Sequence, residues 1–165
     1  MYFQNFPDII YDFDINGTTS VIQVKDITRN IRFRRDVLAN ITIYDEYDVI
    51  DGETPEHVAE KFYGNPEYHW VVMLINEVYD YKQDWVLSYN DLSNYIKSKY
   101  NDVYGIHHYQ LNGYVVDEGT VVNGVAASPV TNYDYEVTLN ETKRRIKIVP
   151  EIYISKIISD YNKLI

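Results

Sequence analysis

Two consecutive segments that each open with proline constrain the fold of this chain more than any other feature of its sequence. In the first segment, residues 52–64, Thr54 suits a helix N-cap and Pro55 suits the first helical position, where its missing N–H would be unpaired anyway. Gly64 supplies the left-handed residue that commonly ends a helix. The spacing of apolar positions predicts a buried helix face made by Val58, Ala59 and Phe62.

The second segment repeats the same device immediately after the first. Asn65 suits an N-cap, Pro66 opens the helix, and residues 68–75 are predicted to form a largely buried helix that ends near Asn76. Because one short corner joins the two helices, they are predicted to pack as a compact helical hairpin. Two more of its residues are expected to be structural, namely Trp70 and Leu74.

The segments around the helical hairpin predict a mixed α+β chain. Residues 41–50 are rich in β-branched and aromatic side chains and predict a strand, and residues 85–87 predict another. Ser88 caps a third predicted helix that runs to Tyr100. From there the pattern changes to short strands with turn signals, such as the Asn-Gly pair at 112–113. The predicted strands are residues 106–111, 114–116, 121–125, 133–139 and 144–149, with a loop over 123–132.

The two ends of the sequence are read as appendages of this centre. Residues 1–20 predict irregular structure, residues 20–27 a strand or an extended arm, and residues 29–40 a short helix. Pro150 starts a last predicted helix with a single apolar stripe, which either docks on its own domain or binds a partner. The stripe consists of Ile154, Ile157, Ile158, Tyr161 and Leu164. The predicted domains are an arm over 1–40, a core over 41–91, a helix and β-rich segment over 92–149, and a helix over 150–165.

Charge and composition restrict the function. The formal net charge is −10, and residues 41–91 hold 12 acids and two bases, so this middle piece accounts for all of it. Such an acidic balance argues against a general nucleic-acid binder. The chain has no cysteine, which excludes disulfides and thiolate metal sites. The longest apolar run, residues 70–75, is far below the ~20 residues that a membrane span needs, and the first residues do not resemble a signal peptide.

No catalytic or metal-binding constellation is recognisable. His57 and His69 lie on consecutive helices without a carboxylate at metal-binding spacing. His107 and His108 share a predicted strand, where neighbouring side chains point to opposite faces and are not expected to share a metal. The sequence also lacks a nucleophile elbow, a phosphate-binding loop and a dinucleotide fingerprint. It therefore predicts a protein that is not an enzyme and needs no cofactor.

The centre of the chain resembles the lysin motif (LysM), a small βααβ module. The resemblance is carried by residues 47–66, which include Gly52-Glu53-Thr54, Ala59-Glu60-Lys61-Phe62-Tyr63-Gly64 and, further on, Asn76. LysM modules typically bind N-acetylglucosamine polymers between two loops, so the resemblance implies peptidoglycan or chitin binding as an alternative function. The equivalent loop positions would be Asp51, Gly52, Glu53 and Thr54 in the first loop and Asn76, Glu77, Val78 and Tyr79 in the second.

About two-thirds of the chain resembles the baseplate wedge protein 53 family of contractile-tailed bacteriophages; residues 101–140 match it poorly. The matching stretches are Asp26-Ile27-Thr28-Arg29-Asn30, the run from Tyr63 to Asn76, Tyr79-Asp80, Trp85 and the run from Arg145 to Val149. The resemblance implies an α+β protein with a LysM-like βααβ core, an extended N-terminal arm, a β-rich C-terminal segment and a terminal amphipathic helix.

The same resemblance implies a structural role without catalysis. Such a protein clamps wedge subunits together in the virion's tail baseplate and helps join them to the central hub and the sheath initiator. It assembles in the host cytoplasm into a six-fold hetero-oligomer and binds neither nucleic acid nor membrane. The expected contact residues are the apolar stripe of the last helix and a basic cluster made by Arg29, Arg32, Arg34 and Arg35.

Overall fold

The computed structural model describes residues 6–15, 17–28 and 44–164, and these form a mixed α+β fold. The described residues contain six α-helices: α1 (Pro55–Tyr63), α2 (His69–Ile75), α3 (Tyr81–Asp84), α4 (Tyr89–Lys99), α5 (Asn132–Glu141) and α6 (Ile154–Leu164). They also contain the strands β1 (Asp8–Ile15), β2 (Thr18–Lys25), β3 (Asp45–Asp48), β4 (Ile106–Leu111), β5 (Tyr114–Val116), β6 (Val121–Val122), β7 (Val125–Ala126), β8 (Ser128–Thr131) and β9 (Arg145–Ile148).

Contacts divide the chain into two compact units, each made of segments that are distant in sequence. The first unit takes in residues 1–46, 54–79 and 147–165, and the second takes in residues 47–53 and 80–146. These two units do not coincide with the four predicted domains, because each unit joins segments from several of them. The four-part division therefore stays a prediction. None of the described helices is long and apolar enough to cross a membrane.

The helical hairpin in the first unit is confirmed, with the caps that the sequence predicts. The Thr54 side chain accepts a hydrogen bond from the His57 N–H, and Gly64 ends α1 in the left-handed conformation at φ 63°. The Asn65 side chain accepts from the Glu67 N–H and opens a 3₁₀ turn, Pro66–Tyr68, that leads into α2. Helix α1 and the 3₁₀ turn before α2 thus each begin where a side-chain oxygen satisfies a backbone N–H that lacks a helical partner.

The buried face of α1 differs from the predicted one at a single position. Val58 and Ala59 are fully buried as predicted, but Tyr63 is buried and Phe62 is only half-buried. The helix buries positions spaced three and four apart, and Phe62 falls at the margin of that face. The prediction that Phe62 lies in the core was therefore wrong.

Two of the expected structural residues of α2 are half-buried, while the helix core is formed by others. Trp70 and Leu74 are half-buried, whereas Val71, Val72 and Ile75 are buried. The Trp70 ring contacts that of Tyr161 on α6, with centroids 4.7 Å apart.

The N-terminal region is a β-hairpin rather than irregular structure. Strands β1 and β2 pair antiparallel over their full length, from Asp8 opposite Lys25 to Ile15 opposite Thr18. Gly17 has a φ of 78°, which a tight hairpin turn requires and glycine adopts easily. The sequence signal of the turn was recognised, but the strand before it was not.

The second unit confirms several predicted elements. Helix α4 is capped by the Ser88 hydroxyl, which accepts from the Asp91 N–H. Strands β4 and β5 have the predicted bounds, and the turn between them has positive φ at Asn112 and Gly113. Strand β9, whose first two residues belong to this unit and whose last two belong to the first unit, is confirmed within the predicted range and pairs with β3. Arg145 reinforces this pairing because its guanidinium donates to both oxygens of Asp48, at 2.9 and 3.1 Å.

Four predictions in the second unit were wrong. Residues 133–139 belong to helix α5, because the Thr131 hydroxyl accepts from the Asp134 N–H and starts a helix where β-propensity suggested a strand. Residues 121–125 are a tight β6–β7 hairpin around Asn123 and Gly124, and the expected loop also contains strand β8. Residues 85–87 form no strand, because the side chain of Asn140 hydrogen-bonds both backbone groups of Leu87, at 2.8 and 3.0 Å.

Candidate interaction surfaces

The first loop equivalent to a LysM groove uses its carboxylates inside the protein. Asp51 Oδ1 accepts from the Tyr89 N–H at 2.9 Å, at the start of α4. Glu53 Oε2 accepts from the Tyr47 hydroxyl at 2.6 Å and from the Ile50 N–H at 2.9 Å. The Glu53 carbonyl accepts from the Trp85 indole at 2.9 Å. These groups hold the loop in shape, and a ligand would have to compete with them.

The second loop equivalent is fixed in the same way by Asn76. Its side-chain Nδ2 donates to the Lys147 carbonyl at 2.9 Å, and its Oδ1 accepts from the Lys147 N–H at 2.7 Å. Of the next three residues, Glu77 has a φ of 55°, Val78 is buried and Tyr79 is 54% exposed. The eight predicted groove positions divide between the two units: Asp51, Gly52 and Glu53 belong to the second unit, and Thr54 with residues 76–79 to the first.

The predicted contact residues at the two ends have different outcomes. Arg29, Arg32, Arg34 and Arg35 lie outside the described residues, and so does the predicted helix over 29–40. On α6, Ile154, Ile157 and Tyr161 are buried, and Ile158 is half-buried. This apolar face packs within its own unit, so a partner would have to displace the helix to reach it. Its role in an interface stays a prediction.

The two adjacent histidines of β4 lie together, contrary to the prediction that they point apart. The Nδ1 atoms of His107 and His108 are 2.8 Å apart, so one ring donates a hydrogen bond to the other. A shift in register between β4 and β8 at this point explains the change, because a bulge rotates one side chain out of the strict alternation. The His107 ring also stacks on Tyr135, with centroids 3.9 Å apart. The described residues contain no cluster of three or more metal-binding side chains.

A buried ionic contact in the second unit was missed by sequence reasoning. Glu136 on α5 is 3% exposed, and its Oε1 accepts from Lys99 Nζ and from the Tyr100 hydroxyl, each at 2.7 Å. Burial alone would raise the pKa of Glu136, but these two hydrogen bonds outweigh it and hold the pKa below its usual value. The same contact raises the pKa of Lys99. Because residues 133–139 were predicted to form a strand, nothing in the sequence indicated that Glu136 would be buried beside Lys99 and Tyr100.

One face of the N-terminal hairpin in the first unit is a cluster of partly exposed apolar side chains. Because side chains alternate along a strand, Ile9, Tyr11 and Phe13 share one face of β1, and Ile22 of β2 lies opposite Tyr11 on that face. These four side chains are 37%, 52%, 45% and 41% exposed, respectively. The alternation of apolar residues with aspartates in 8–14 is the sequence signal that could have revealed this surface.

A pocket of about 400 Å³ in the second unit combines apolar and basic side chains. Its lining includes Leu87, Leu92 and Leu139 together with Lys82 and Lys143. The ammonium of Lys143 donates to the Gln83 carbonyl, so part of the basic character is used within the protein.

The sequence of this chain is similar to those of phage baseplate proteins. The family described as "Base plate wedge protein 53" matches residues 1–122. The chain is also similar to the baseplate wedge protein gp53 of Enterobacteria phage T4, with 29% identity over 185 aligned positions that cover 97% of this chain and 93% of that protein. The family match includes the N-terminal hairpin and the helical hairpin.

Proposed function

The chain belongs to the base plate wedge protein 53 family and is a structural protein of the phage tail baseplate, and from this premise we propose that it clamps wedge proteins to one another. It also helps to link the wedges to the central hub and to the sheath initiator. The observation that carries this proposal is the family match, which extends over both hairpins. As a structural family member it is not an enzyme.

The contacts of the first unit support a rigid body suited to clamping. The helical hairpin is capped at both starts, and Asn76 hydrogen-bonds the backbone of Lys147, 71 positions further along the chain. We propose that this arrangement is a LysM-like core in which the closing strand is β9 rather than residues 85–87. Its support is the β3–β9 pairing together with the place of Asn76 at the end of α2.

A clamp must offer surface to more than one neighbour, and apolar side chains are exposed in both units. In the first unit they lie on the N-terminal hairpin, and in the second unit Tyr114, Val115 and Val121 are 76%, 72% and 59% exposed. Apolar surface of this kind commonly marks a protein–protein contact. The basic cluster of Arg29, Arg32, Arg34 and Arg35 is a further proposed contact, since the chain is otherwise acidic.

Omission and add-back of the full chain test the proposal. The other wedge proteins of the same phage are co-expressed with and without this chain, and the products are sized by sedimentation and viewed by electron microscopy. With the chain, wedges are expected to join into closed six-fold baseplates; without it, they should remain separate. Closure without the chain would overturn the clamp. Saturable binding of chitin oligomers by the purified chain would instead support the LysM-type alternative.

A further inference from the structure

We propose that the N-terminal hairpin receives a third β-strand from another baseplate protein, along the free edge of β1, and that this strand alternates apolar with basic side chains. The inference rests on the proposed function, because it takes the partner to be a protein of the same baseplate. The evidence for the inference is the unpaired edge of β1, the side chains on its two faces and the negative charge of its aspartates.

The edge of β1 is open to pairing. Within the described part of the chain, β1 and β2 form a two-stranded sheet, so β1 has a strand on one side only. An isolated two-stranded hairpin is marginally stable in water, and an unpaired edge is a template for another strand. Adding a strand from a partner is a common way in which proteins recognise extended segments.

The two faces of β1 define what such a strand must look like. One face presents Ile9, Tyr11 and Phe13, whose side chains are 37–52% exposed. The other face presents the exposed Asp8, Asp12 and Asp14, with Ile10, which is 77% exposed, between the first two. Because directly opposite side chains on neighbouring strands contact each other, an incoming strand fits best with apolar residues on the first face and with Lys or Arg on the second.

The three aspartates of β1 differ in whether they already have a basic partner within the hairpin. Asp8 is already paired with Lys25 of β2 at 2.9 Å, and the hydrogen bond from Lys25 lowers the pKa of Asp8. Asp12 and Asp14 form no ion pair or hydrogen bond within the described residues. Residues 8–25 carry a net charge of −2. Two unpaired carboxylates beside an open edge attract a basic strand.

The same charges argue against a second copy of this chain as the occupant. Two β1 edges paired side by side would bring aspartates of one copy against those of the other, and like charges opposite each other destabilise a sheet. The partner is therefore a different protein with a basic, alternating strand.

Photo-crosslinking identifies the occupant. The full chain, with Phe13 replaced by p-benzoylphenylalanine, is assembled with the other wedge proteins, irradiated and analysed by mass spectrometry. Ile152, which is 80% exposed and lies outside the N-terminal hairpin, carries the same probe in a control chain. The Phe13 probe is expected to capture a peptide of another baseplate protein in which apolar residues alternate with Lys or Arg. Capture of a helical or acidic segment, of another copy of this chain, or of nothing beyond the control overturns the inference.

Charge reversal supplies the matched comparison. The double variant Asp12→Lys/Asp14→Lys is expected to enter assemblies about tenfold less well, because two cross-strand attractions become repulsions. The control Glu60→Lys/Glu151→Lys changes the net charge equally at two exposed positions of the same unit and should assemble within about twofold of the unaltered chain. Equal assembly of both variants overturns the inference. Circular dichroism checks that each variant is folded, and Asp12→Asn/Asp14→Asn replaces the reversal if it is not.

Hydrogen exchange gives an independent measurement. The amides of β1 should exchange more slowly in the assembly than in the free chain, and unchanged exchange contradicts strand addition. If the unaltered chain fails to enter the assembly, the proposed function fails and this inference fails with it. If the unaltered chain enters and the β1 variants enter equally well, only the inference fails.

Discussion

Asn76 and Lys147 are joined by two hydrogen bonds between a side-chain amide and a backbone peptide. Asn76 Nδ2 donates to the Lys147 carbonyl at 2.9 Å, and the Lys147 N–H donates to Asn76 Oδ1 at 2.7 Å. Nδ2 also donates to the Val72 carbonyl at 2.8 Å, at the end of α2. One amide thus ties the end of the helical hairpin to β9 by hydrogen bonds to the backbone of both.

The Asn76 contact predicts a clear loss of stability when it is removed. Replacing Asn76 with alanine should lower the free energy of unfolding by about 1 kcal/mol, since three hydrogen bonds from its side chain to the backbone are lost. Asn94→Ala is the control, because Asn94 is exposed on α4 and should change stability by less than about 0.5 kcal/mol. Urea unfolding measures both. Equal stability of the two variants would show that this contact does not hold the unit together.

Adjacent aromatic residues of α1 test the buried face of the helical hairpin. Tyr63 is 6% exposed, whereas Phe62 is half-buried. Tyr63→Ala should cost about 3–5 kcal/mol, as truncation of a buried aromatic residue does, and Phe62→Ala should cost clearly less. Thermal and urea unfolding of the two variants measure the difference. A larger loss of stability in Phe62→Ala than in Tyr63→Ala would contradict this buried face and support the one that the sequence predicted.

The buried hydroxyl of Tyr63 predicts a specific pH dependence. This hydroxyl makes no hydrogen bond of ordinary geometry within the described residues, and burial raises the pKa of Tyr63 to about 12, outweighing the nearby Val149 backbone, which lowers it. The unfolded chain releases this proton near pH 10 and the folded chain near pH 12, so stability falls as pH rises between those values. The unaltered chain should lose about 1 kcal/mol more than Tyr63→Phe between pH 9 and pH 11.

Urea unfolding at both pH values measures that difference. Because the other tyrosines titrate in both proteins, the comparison isolates Tyr63. At pH 9 the Tyr63→Phe variant should be no less stable than the unaltered chain, since it removes a buried polar group that lacks a partner. Identical pH profiles, or a large loss at pH 9, would mean that the hydroxyl is hydrated or bonded.

The Glu136 contact predicts that the stability of the protein changes with pH under acidic conditions. Its pKa is lowered in the folded state, so its contribution is complete above about pH 5 and is lost as pH falls through the folded pKa. Glu136→Gln should cost about 1–3 kcal/mol at pH 7, because Lys99 and Tyr100 lose a charged acceptor. The variant should also lose less stability than the unaltered chain between pH 7 and pH 4. Parallel profiles in urea unfolding would contradict this account.

Local signals were sufficient wherever the structure depends on caps and turns. The starts of α1, of the 3₁₀ turn before α2 and of α4 follow from Thr54, Asn65 and Ser88, because a capping side-chain oxygen acts within three residues of sequence. The β4–β5 turn at Asn112 follows for the same reason. The resemblance to the wedge protein 53 family, carried mostly by the helical hairpin, led to the function that the comparisons support.

The errors occurred where distant contacts decide the local structure. The backbone of Leu87 bonds to Asn140 and not to a strand, and no local pattern reveals a partner 53 positions away. The cap at Thr131 competes with the β-propensity of residues 133–139, and the two signals cannot be ranked without knowing that Glu136 is bound by Lys99. The predicted groove positions stay a prediction, and the bonds of Asp51 and Glu53 within the protein depend on folded geometry that the sequence does not reveal.

A residue-level map of the assembled baseplate tests the central claim most directly. The claim is that this chain joins neighbours, so the map should show it in contact with at least two different wedge proteins at once, in each of the six wedges. The account further predicts that the β1 edge is one of those contacts. A chain that touches a single protein, or that decorates the baseplate without bridging any two components, would contradict the clamp.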